Sequence, residues 1–124
     1  MNPFARIKVW DLRFTAPRDR KQISQGALHT IEHIMAYKLR YLLGFKYIAF
    51  FPFGSTTGFG FISKYSLTEK ELREALVDII DHTVPILGPT EIPSLTEKEC
   101  GRATLFNMNN SNQWLSQYKA VLLK

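Results

Sequence analysis

A single cysteine in 124 residues excludes an internal disulfide, so the fold must stand on its core or on a partner subunit. No apolar run approaches the ~18–20 residues of a membrane helix, and no transmembrane span or membrane partner is expected. The opening Met1-Asn2-Pro3-Phe4-Ala5-Arg6 has no long apolar stretch of the kind a secretory signal carries, which makes a cytoplasmic location the expectation. Repeats and low-complexity tracts are absent. Dense Lys/Arg runs are also absent, although the chain carries a formal charge of +5. The excess sits in residues 1–50, where nine basic and three acidic side chains give +6; the remainder sums to −1. Scattered cations without an RNA-binding signature fit an anionic small substrate or a solubilising face better than nucleic acid, and no nucleic-acid partner is expected.

What is present is ordinary for a folded domain. The apolar fraction is 45% and the charged fraction 22%, in a length that suits one domain spanning residues 1–124. Residues 6–15 alternate Lys8, Trp10, Leu12 and Phe14 with Ile7, Val9, Asp11 and Arg13, the period of a strand with one apolar face. Ser24 is placed to cap a helix over 27–43, whose stripe is Leu28, Ile31, Met35, Leu39 and Leu42 and whose stop is Gly44. Residues 46–53 and 59–65 read as aromatic strands around the small-residue loop Gly54-Ser55-Thr56-Thr57-Gly58. Thr68 and Glu71 match a capping box before a second helix. Three prolines break regular structure over 85–94, residues 99–106 suggest a short strand, and Asn110 and Ser111 are placed to cap a last helix. The order predicts an α+β fold: an antiparallel sheet with helices packed on one face, a two-layer sandwich.

The sharpest motif is His29-Thr30-Ile31-Glu32-His33. One helical turn separates the two imidazoles, so both can grip one cation, and Glu32 lies close to the same face as a proton carrier. This is the inverted zinc pattern H-x-x-E-H. The bland alternative is two ordinary histidines on a solvated helix face. Two donors do not bind tightly; Cys100, the only thiol, is the expected third ligand, and its alternative is a small buried hydrophobe. Two His and one Cys leave a fourth position open, as in catalytic sites. Zn2+ and Fe2+ both suit this set. Arg13 reads either as a substrate-binding cation or as a surface residue, and Ser55 as a hydrogen-bond donor or a turn residue. His82 reads as a surface residue, and Tyr37, Tyr41 and Trp114 as packing.

The same residues, in order, resemble the S-ribosylhomocysteine lyase family, which makes the precursor of the quorum-sensing signal autoinducer-2. The resemblance runs from Asp11-Leu12-Arg13-Phe14, through His29–His33 and Pro52-Phe53-Gly54-Ser55-Thr56-Thr57-Gly58-Phe59, to Cys100-Gly101 and Trp114-Leu115-Ser116-Gln117. It implies a homodimer with shared active sites, a small-molecule substrate, His29, His33 and Cys100 as metal ligands, and Glu32 as acid/base. It also implies Arg13 in the active site, and a reaction that moves a sugar carbonyl by enolisation before β-elimination of homocysteine. Ser55 stands where the family has a catalytic cysteine, and Ala49 where it has an aspartate. No match to the family's substrate-binding serine and histidine, which precede the arginine strand, is expected within residues 1–10. A thiol with a reference pKa near ~8.5 cycles its proton near neutral pH; a serine hydroxyl does not, but it can donate a hydrogen bond to an enediolate oxygen. The metal-holding half of the family pattern is therefore intact and the proton-relay half altered, which points to a divergent metal-dependent lyase or isomerase. A metal-dependent hydrolase and a catalytically silent metal-binding protein are the rival readings.

Overall fold

A computed structural model describes residues 6–15, 22–83 and 107–124. Its elements are β1 (Ile7–Arg13), α1 (Gln25–Leu43), a 3-10 turn (Gly44–Lys46), β2 (Tyr47–Pro52), β3 (Gly58–Lys64), α2 (Glu69–Asp78) continued by a π-helical turn (Ile79–Thr83), and α3 (Met108–Leu122). The three strands form an antiparallel sheet in the order β1-β3-β2. This is the α+β class that the pattern of elements predicts.

The alternation in β1 decides which face is covered. Trp10 and Leu12 lie opposite Phe61 and Phe59 of β3, and Phe50 of β2 stacks on Phe59 at 5.0 Å. Against that face α1 packs Ala27, Leu28, Ile31, Ile34, Met35 and Leu39, α2 packs Leu72, Ala75 and Leu76, and α3 packs Leu115, Tyr118 and Leu122. The leucine, isoleucine, methionine and phenylalanine side chains of this layer are each worth roughly 1.5–3 kcal/mol of transfer free energy, which orients the layers. Ile7, Val9, Asp11 and Arg13 project from the other face of β1, and Ile7 and Val9 remain 55% and 68% exposed.

Caps set the helix ends. Ser24 Oγ accepts from Ala27 N at 3.2 Å, and Gly44, at φ 57, ends α1. The Thr68–Glu71 capping box forms in both directions, at 3.0 and 3.1 Å. The cap of α3 differs from the sequence expectation. Asn107 caps it by accepting from Asn110 N at 3.0 Å, and Asn110 and Ser111 lie inside the first turn. A run of polar residues offers several equivalent cap positions, and Met108, which is buried, sets the phase. Tyr37 and Tyr41 are also not packing residues, being 53% and 75% exposed, because they fall on the α1 face away from the stripe. Trp114 is half-buried against the core, as expected. The proline-rich stretch 85–94 and the strand expected over 99–106 lie outside the described residues.

Candidate active site

The helix that carries the histidine motif is fixed by its own residues. His29 and His33 sit one turn apart on α1, beside the buried Leu28, Thr30, Ile31 and Ile34. His29, Glu32 and His33 are all half-buried. The two Nε2 atoms approach to 3.0 Å, with ring centroids 4.5 Å apart and planes at 84°. Two imidazole lone pairs cannot face each other at that distance unless something positive lies between them. One shared proton, donated by one ring to the other, satisfies the pair; a divalent cation of borderline softness meets the same two donors. Cys100, the expected third ligand, lies outside the described residues, and among the described residues no cluster of three ligand-type side chains occurs. The chemistry of the two nitrogens fits a divalent cation.

The loop between β2 and β3 is held from three sides. Thr56 N donates to Phe53 O and Phe53 N to Gly58 O, both at 3.0 Å, which close the turn. Phe14 N and Thr15 N both donate to Thr57 O, at 3.0 and 3.1 Å, tying the loop to the end of β1. Ile23 N donates to Thr56 O at 2.9 Å, tying it to the residue before the Ser24 cap and so to the start of the histidine helix. Thr56 occupies φ 58, an uncommon conformation for a β-branched residue, and these bonds hold it there. Gly58 has no room for a side chain: a Cβ there would lie 2.5 Å from Leu12 O and 2.9 Å from Arg13 Cα.

This anchoring brings Ser55 and Arg13 to one network. Arg13 Nε and Nη2 both donate to the Asp11 carboxylate, at 3.2 and 3.0 Å, and Nη1 donates to Thr57 Oγ1. Ser55 Oγ lies 2.8 Å from the same Thr57 Oγ1. The guanidinium also covers the Phe53 ring at 4.7 Å. Arg13 and Ser55 were both singled out in the sequence. The Asp11–Arg13 pair follows from the strand period, which puts the two on one face, whereas no local pattern marks Thr57 as its third member.

A cleft of about 400 Å³ opens beside β1, with Trp10, Arg13, Arg73 and Tyr118 among its walls. Neither histidine lines it, and we assign it no part in the metal chemistry. Burial raises the Tyr118 hydroxyl to about 12. His82, as expected, is a surface residue, 3.0 Å from Asp78 Oδ1.

Comparison with known families decides the membership. The model of the family S-Ribosylhomocysteinase (LuxS) matches residues 2–123. The chain belongs to this family. It is therefore kin to lyases of S-ribosylhomocysteine, enzymes of the autoinducer-2 context that work with a divalent metal. No helix among the described residues is long and apolar enough to cross a membrane.

Proposed function

We propose that the protein is a divergent S-ribosylhomocysteine-lyase-like metalloenzyme acting on a small sugar-like or thioether substrate. His29, His33 and Cys100 hold a divalent cation, Zn2+ or Fe2+. When bound, the cation supplies Lewis-acid polarisation of a carbonyl or hydroxyl oxygen. Glu32 carries a proton between neighbouring carbons of the open-chain sugar while a hydroxyl proton passes between their oxygens, which moves the carbonyl along the chain and prepares β-elimination of the thiol. Arg13 holds a substrate oxygen. Ser55, which does not ionise near neutral pH, donates a hydrogen bond rather than cycling a proton. The observation that carries this reading is the convergence of the His29 and His33 Nε2 atoms to 3.0 Å beside Glu32 on one helix.

The reading includes a homodimer with shared sites. Arg13 and Asp11 lie on the open face of the sheet, the face that also presents Ile7 and Val9. A second copy seated there would lie against the Arg13 end of the site. The single cysteine suits a reducing compartment, and we place the protein in the cytoplasm.

Two measurements test the proposal. Protein purified without oxygen is expected to carry a stoichiometric divalent metal, and incubation with S-ribosylhomocysteine to release free thiol. Glu32→Gln should keep the metal and lose the release. Protein that binds no metal under these conditions overturns the reading.

A further inference from the structure

The hydrogen-bond polarity of the loop has a consequence for Ser55. An arginine can only donate, so Arg13 Nη1 occupies one lone pair of Thr57 Oγ1. The Thr57 side chain is buried, with the residue 3% exposed, and its own hydrogen must find an acceptor or be left unpaired. Ser55 Oγ, at 2.8 Å, is the acceptor that the described residues provide. The reverse arrangement, Ser55 donating to Thr57, would strand the threonine hydrogen in the interior.

We infer that Thr57, with Asp11, is a positioning residue: the chain Arg13 to Thr57 to Ser55 fixes the serine as an acceptor on its inner side, and so as an outward donor to a substrate oxyanion. Ser55 is exposed, so its hydrogen is directed to the open side of the loop. Asp11 holds two guanidinium N–H groups and Thr57 a third; of the five, one remains on each terminal nitrogen. The serine O–H and these two N–H groups form a donor set for an oxygen that gains negative charge, such as that of an enediolate. This inference rests on the proposed function for the identity of the oxyanion, and on the network alone for the roles of Thr57 and Asp11.

The test separates the two. In 1H–15N spectra of metal-loaded protein, the Arg13 side-chain N–H resonances are expected to move and to exchange faster with water in Thr57→Val, and to return in Thr57→Ser. Binding of S-ribosylhomocysteine, followed by calorimetry, should weaken about tenfold in Thr57→Val, the scale of a lost hydrogen bond at a charged site. It should recover in Thr57→Ser. Ser55→Ala combined with Thr57→Val should cost little more than Ser55→Ala alone. Unmoved Arg13 resonances in Thr57→Val, or a Thr57→Ser that behaves like Thr57→Val, overturn the inference. Wild-type protein that neither binds nor cleaves S-ribosylhomocysteine overturns the function instead, and the guanidinium spectra of the two Thr57 variants, with those of Asp11→Asn, which should also free and shift the Arg13 N–H resonances, still decide the roles of Thr57 and Asp11.

Discussion

Thr30 joins the histidine helix to the last helix through Asn107. Its hydroxyl donates to Gly26 O at 2.7 Å and accepts the backbone N–H of Asn107 at 2.9 Å. Ser24 Oγ makes a second link, donating to Asn110 Oδ1 at 2.7 Å. The residue between His29 and Ile31 is thus the point at which α1 grips the start of α3, and its side chain is fully buried.

Thr30→Val should therefore be costly although it conserves shape. It leaves the Asn107 N–H without its partner at a part-buried junction, a loss of about 1 kcal/mol. Denaturant unfolding measures it, and Thr30→Ser should restore most of the difference. A Thr30→Val protein as stable as wild type would mean that Asn107 finds another acceptor.

Gly58 tests how tightly the loop is bound to β1. In Gly58→Ala the new methyl meets main-chain atoms of Leu12 and Arg13, which cannot rotate away. We expect destabilisation of about 1–3 kcal/mol, as for other overpacked sites, with displacement of Arg13 from Thr57. Gly60→Ala meets the Phe51 ring instead, a side chain that can swing aside, and should cost less. Thermal unfolding of the two variants side by side checks the order.

Much of this was legible in the sequence because it depends on local patterns. The β1 alternation, the α1 stripe, the Ser24 cap and the Thr68–Glu71 box are all written within a few residues, and each forms where its residues predict it, except that the stripe ends at Leu39 and leaves Leu42, in the last turn, 40% exposed. The histidine pair is equally local, since i and i+4 on a helix must be neighbours. The Thr57 bridge was not legible, because it needs the registry Arg13–Gly58 between strands far apart in the chain. The Asn107 cap needed the buried phase of Met108, a tertiary fact. The exposure of Tyr37 and Tyr41 was not legible from residue type, because aromatic side chains are commonly interior, whereas the helix phase places these two outside.

Glu71 gives the acid limb of stability a specific origin. Its carboxylate accepts from Lys46 Nζ at 2.9 Å and from Thr68 N and Oγ1, at 3.0 and 3.1 Å. The Lys46 contact first, then the capping bonds, lower its pKa from 4.5 to about 2. A carboxylate with a depressed folded value contributes stability that is present above the unfolded value and lost as pH falls toward the folded one. The loss should fall between pH 4.5 and about 2. Glu71→Gln should flatten that part of the stability curve, while an equal slope in both proteins would assign the limb to other carboxylates.

The open face of the sheet calls for a cover. Ile7 and Val9 project from it beside Ile62, which lies opposite Val9 on β3, and no described helix packs there. Contiguous β-branched side chains left in water on a flat face are a feature of subunit interfaces. Homodimerisation through this face predicts that Val9→Glu, which places an unpaired charge in the apolar contact, yields a folded monomer. Sedimentation velocity of wild type and variant, with circular dichroism to confirm the fold, makes the comparison. The monomer should also bind S-ribosylhomocysteine less tightly, since Arg13 lies on the same face. A dimer that survives Val9→Glu would move the interface to another surface, and a wild type that is monomeric at working concentration would remove the shared site altogether.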